Sequence, residues 1–95
     1  MKKNKNIKII GKTYQIDYRP IRSDKASKIT WGTTEYPSQK ITLNTKGHRE
    51  QISETLLHEI LHIVNTALMI GLRETQICQL SSGMFQVLKD NKLKF

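Results

Sequence analysis

Apolar and polar side chains alternate along Thr13–Arg19, with Tyr14, Ile16 and Tyr18 on one face and Gln15 and Asp17 on the other. A period of two marks a strand half-buried against a core. The short apolar run Ile7–Ile10 precedes it, and Gly11-Lys12 between them predicts a hairpin. Pro20 ends the second strand, because proline has no N–H to give to a ladder. "IRSDKAS" then predicts a loop. Lys28–Tyr36 is again rich in strand formers (Ile29, Trp31, Thr33, Thr34), with Gly32 marking a bulge or a close backbone approach. After a turn at Pro37-Ser38, Gln39–Leu43 carries Ile41 and Leu43 on one side. The expectation is an antiparallel sheet of about three to four strands, built as two hairpins or one meander.

The period changes after "NTKG", Asn44–Gly47. From about His48 to Met69 the pattern is helical. Ile52, Leu56, Ile60 and Ile63 form one apolar flank, and Leu57, Leu61, Val64 and Leu68 the adjoining one. His58, His62 and Asn65 fill the gap between their far edges. Gly71, tolerant of the left-handed conformation, fits the helix stop. A second helix is predicted over Arg73–Asp90, with Ile77, Leu80, Met84, Val87 and Leu88 as its apolar stripe. The short link sets the two helices antiparallel or at a steep angle. The fold class is therefore α+β, with the sheet packed on the first helix and a second helix C-terminal to it.

Composition narrows the picture. A chain of 95 residues makes one domain, 1–95, and its hydrophobic share of 37% is lean but above the disordered regime. A bound metal would then matter for folding as well as chemistry. The apolar residues after the basic start are too few for a signal or a membrane span. With the one cysteine, Cys78, no internal disulfide is available, which fits a reducing cytoplasm. The net charge is +8, from sixteen Lys and Arg against eight acids. The excess lies at Lys2, Lys3, Lys5, Lys8 and Lys12 and at Lys89, Lys92 and Lys94. Such ends suit solubility first, and weak contact with nucleic acid or an acidic partner second. No aromatics interleave with them, and no RNA-binding or zinc-finger signature is present.

The chemistry sits in "TLLHEILHIV", Thr55–Val64. At 3.6 residues per turn, His58 and His62 stand one above the other. Two imidazoles so placed can hold one zinc ion, and burying them without hydrogen bonds or a ligand is costly. Glu59 is turned about 100° away, outside the ligand face but able to lean toward a zinc-activated water as general base. A catalytic zinc wants a third protein ligand. After His62 the acids are Glu74 and Asp90. Glu74, at the start of the second helix, is the better placed, and a helix N-terminal acid is its bland alternative. Cys78 is a softer competitor that reads more readily as a buried structural thiol. Asp90 is distant. His48 reads as a surface or capping residue. Asn65 returns to the histidine face, where it either orients a ligand or is simply solvated. Trp31, Tyr14, Tyr18 and Tyr36 read as core or rim residues of the sheet.

With "LLHEILHIVN" followed by "GLRETQICQLSSGMFQVLKDN", the chain resembles the minimal gluzincins, HExxH zinc metallopeptidases encoded by phages and prophages. The likeness covers most of its length. It implies a zincin-like domain in the cytoplasm of a bacterial host, with His58, His62 and Glu74 as zinc ligands and Glu59 as catalytic base. The chain departs from the pattern at Arg73, where such proteins often carry Ser, Thr or Asp, and at Cys78, where many have another acid. The implied activity is peptide-bond hydrolysis, with a protein or peptide substrate extended along an edge strand, Gln39–Leu43 or Lys28–Tyr36. No His or Tyr follows that would stabilise an oxyanion. The alternative is a non-catalytic phage accessory or inhibitor protein, stapled by zinc and binding a host protein or nucleic acid. A helix-turn-helix over Ala67–Gln86 is weaker, since its second helix is poor in Lys and Arg.

Overall fold

The computed structural model describes residues 5–21 and 29–93. Lys2, Lys3 and Lys94 of the basic ends, all of the expected "IRSDKAS" loop except Ile21, and Lys28 lie outside those residues. The elements are β1 (Lys5–Ile9), β2 (Lys12–Arg19), β3 (Gly32–Glu35), β4 (Lys40–Asn44), α1 (Arg49–Leu68) and α2 (Glu74–Asp90). Among the described residues no helix is long and apolar enough to cross a membrane.

The sheet is four-stranded, in the order β1-β2-β4-β3. β1 and β2 form the expected hairpin, joined by Ile10 and Gly11 at φ 47° and 79°. Positive φ at both loop residues matches the right-handed twist of the flanking strands. β3 and β4 form a second antiparallel hairpin, but β2 pairs with β4 in parallel, from Gln15–Lys40 to Arg19–Asn44. The sheet is therefore mixed, which corrects the antiparallel expectation. The cause is burial. Ile41 and Leu43 of β4 are fully buried, whereas β3 is a short polar strand, GTTE. The more apolar strand takes the interior position and the polar one the edge, and the connection over 20–31 is long enough to carry the chain past that position. The expected strand over Lys28–Tyr36 is thus reduced to Gly32–Glu35. Gln39–Leu43 is not an edge.

Tyr14, Ile16, Ile41 and Leu43 face α1, where Ile63 is buried and Ile52, Leu56, Ile60 and Val64 are half-buried against them. One flank of the helical pattern therefore meets the sheet as expected. The other flank is covered only in part: Leu57 is buried, while Leu68 is exposed. α2 packs on α1 rather than on the sheet. Its buried positions are Ile77 and Ser81. Leu80, Met84 and Val87, read as parts of its core stripe, are exposed. A period of 3.6 identifies an apolar face without saying that anything covers it.

The turn between the helices sets the site. α1 ends ahead of Gly71, with Met69 in the left-handed conformation at φ 53°, ψ 45°. Ile70 N–H donates to Asn65 O at 3.1 Å and Met69 N–H to Thr66 O at 3.3 Å. These are the paired bonds of a Schellman stop, here built on methionine. Gly71 takes positive φ as well, in the turn itself. Arg73 precedes α2, and its N–H is taken by the Gln76 side chain at 2.8 Å. The helix start that Arg73 cannot cap with its own side chain is thereby braced from inside the helix.

Candidate metal centre and adjoining cleft

His58 and His62 lie one turn apart on α1, and their Nε2 atoms approach to 3.1 Å. Glu74, the first residue of α2, reaches back across the turn. Its Oε2 lies 3.1 Å from His58 Nε2 and its Oε1 2.7 Å from His62 Nε2. The three residues offer ligand atoms that all lie within 4.8 Å of one another. Among the described residues no Lys or Arg pairs with Glu74. Partial burial pulls the Glu74 carboxyl upward, but the Cys78 thiol and the two imidazoles outweigh it and hold the group below the usual carboxylate range.

Asn65 explains how Glu74 is delivered. Its Oδ1 accepts from Leu72 N–H at 2.9 Å and its Nδ2 donates to Leu72 O at 3.3 Å. Both side-chain groups therefore grip the turn just before Glu74. Of the two roles open to Asn65, the structure favours orientation over plain solvation: the side chain clamps the segment that carries Glu74.

Glu59 does not join the three ligand atoms. It is buried, on the side of α1 that faces β3, and its Oε1 accepts a hydrogen bond from Thr34 Oγ1 at 2.5 Å. A buried carboxylate needs such a donor. Thr34 can reach it because β3 lies close: a Cβ on Gly32 would stand 2.6 Å from Thr55 Cγ2. The close approach expected at Gly32 is real, and its regular pairing with Leu43 keeps the register.

Cys78 is exposed, not the buried structural thiol expected. It stands one turn after Glu74 and donates to Glu74 Oε2 at 3.4 Å. Desolvation within the cleft wall, then the Glu74 carboxylate, push its thiol pKa up. It therefore holds its proton and braces the carboxylate as a donor. His48 is the exposed N-cap of α1 and makes no side-chain capping bond. Asp90 closes α2 at the opposite end from Glu74.

A cleft of about 270 Å³ opens beside His58 and Glu59, walled by Trp31 and Gly32, by Glu54 and Thr55 of α1, and by Ser81 and Ser82 of α2 among others. Trp31 is therefore a wall of this cleft and Tyr36 an exposed rim residue, while Tyr14 belongs to the core. Thr34, Glu54 and Ser82 carry no local sequence signal; they matter because the fold brings three elements together. No protein-family model matches the chain, and no significant match exists among curated proteins or solved structures, so the chemistry of this site has to be read from its own side chains.

Proposed function

We propose that the chain is a small zinc-dependent metallopeptidase of zincin-like architecture, with His58, His62 and Glu74 as ligands and Glu59 as general base. The observation that carries this reading is the convergence of those three ligand side chains from two helices. The donor set suits zinc, which takes imidazole nitrogen and carboxylate oxygen in tetrahedral sites. Bonds of about 2.0–2.1 Å in a tetrahedron put neighbouring donors roughly 3.3–3.4 Å apart. The 3.1 Å separations between the two imidazoles and between His58 and Glu74 are close to that spacing. The 2.7 Å contact of His62 with Glu74 needs to open slightly. Three protein ligands leave a fourth position for a small molecule, as catalytic rather than structural sites do.

A zinc ion held by His58, His62 and Glu74 would supply Lewis acidity, bringing the pKa of a water to about 7 and polarising an acyl oxygen. The rest of the chemistry falls to the chain. Glu59 uses one carboxylate oxygen to accept from Thr34, which leaves the other to take a proton from the attacking water. That proton passes to the departing amine as the carbon–nitrogen bond breaks. β3, which among the described residues is an edge strand beside Glu59, would offer its outer backbone groups to an extended peptide.

Digestion of an unbiased peptide library by the zinc-loaded protein tests the function. Defined cleavages that a chelator abolishes are the expected result. A library left intact would remove the peptidase reading. The clamp on the turn gives a second expectation. Asn65→Ala removes no ligand, yet it should weaken zinc binding by about 10–100-fold, the usual worth of a residue that orients a ligand. Competition against a chromophoric chelator measures this, and an unchanged affinity would mean that the turn holds its shape without Asn65.

A further inference from the structure

We propose that the cleft beside His58 selects substrates with a lysine or arginine side chain next to the bond that is cut, and that Glu54 is the counter-charge that reads it. This rests on the peptidase reading of the site, and it names the substrate class. The cleft opens directly onto His58 and Glu59, so a side chain lying in it belongs to a residue adjoining the reacting carbonyl.

Its chemistry is one-sided. Among the described residues lining the cleft, Glu54 is the carboxylate apart from Glu59, and none is a Lys or Arg. Glu54 sits one turn before His58 on α1, half-buried. Ser82 Oγ on α2 donates to its Oε2 at 2.8 Å, which steadies the carboxylate across the cleft. Among the described residues no hydrogen bond occupies Glu54 Oε1, and Glu54 is one of the residues lining the cleft. Lys89 of α2 is engaged by Glu50 at 3.1 Å.

A long cationic side chain fits these terms. Its aliphatic stem can lie along Trp31, and its charged head can reach Glu54. An apolar side chain would bury a charged acceptor without a donor, and an acidic one would meet both Glu54 and Glu59. The net charge of +8 opposes a basic peptide at long range, but that repulsion is screened beyond about 10 Å in ordinary salt, whereas contact pairing inside a cleft survives.

The test uses the zinc-loaded protein and peptides that differ at one position: lysine, norleucine or glutamate. The wild type should cleave the lysine peptide with kcat/KM at least about 10-fold above the norleucine peptide, and the glutamate peptide least. Glu54→Gln should bring the lysine-to-norleucine ratio close to one with zinc content unchanged. Equal cleavage by the wild type, or a ratio that survives Glu54→Gln, would overturn the proposal. Binding provides a readout that turnover does not govern. Trp31 is the one tryptophan of the chain, so its fluorescence reports on the cleft wall. Titration should show tighter binding of the lysine peptide, and Glu54→Gln should abolish the preference. Selective binding without cleavage would uphold the cleft's selectivity while removing the peptidase reading. Unselective binding would sink the selectivity itself.

Discussion

Glu59→Gln should retain zinc at about one ion per chain while lowering peptide turnover by roughly 10²–10⁴-fold, the range a positioned general base contributes. The substitution keeps shape and length. Thr34 can donate to the glutamine carbonyl oxygen as it does to the carboxylate. Because Glu59 is not among the three converging ligands, zinc stoichiometry should not change. What disappears is the capacity to accept a proton. The neutral amide also relieves the burial of a charge, so thermal stability should stay level or rise. Parallel measurement of zinc content, melting temperature and cleavage separates these effects. Full turnover in the variant would remove Glu59 as base. A cellular effect that persists in it would assign the role to binding rather than hydrolysis.

Glu74→Ala and His58→Ala should each abolish stoichiometric zinc binding and the stabilisation that comes with it. A ligand that binds only the folded state at about 100 times its dissociation constant adds roughly 2.7 kcal/mol. In a domain of this size each kcal/mol moves the melting temperature by about 4–8 °C. Zinc should therefore raise the wild-type transition by on the order of 10–20 °C, a chelator should reverse this, and neither variant should respond. Glu74→Ala is the cleaner of the two. The Glu74 side chain is 61% exposed, so its removal takes little from the core. A variant that still gains stability and binds one zinc would show that the carboxylate is no ligand.

How much of this was legible beforehand differs by element. α1 was readable almost to its ends, because an i, i+4 pair of histidines among aliphatic residues repeats at only one period. β2 was readable for the same reason. The pairing of β2 with β4 was not, since strand order depends on which strand the core accepts in its interior, and both candidates read as strands. The stripe on α2 was visible, yet the partner it lacks was not: Leu80, Met84 and Val87 are exposed. In the site, the three converging residues were legible from spacing along one helix and a carboxylate just beyond it. Thr34, Glu54, Ser82 and the grip of Asn65 on Leu72 escaped because each depends on groups brought together by the fold.

The contact between Gly32 and Thr55 bears on ancestry. Even an alanine methyl at position 32 would stand 2.6 Å from Thr55 Cγ2, so either that side chain or the strand carrying Thr34 would have to shift. On the reading of Glu59 as general base, position 32 bears on the site although Gly32 is not among the three converging residues. Divergent kin of this chain should be recognisable by a Gly-x-Thr on an edge strand ahead of the histidine helix, long after the residues between them have drifted beyond alignment.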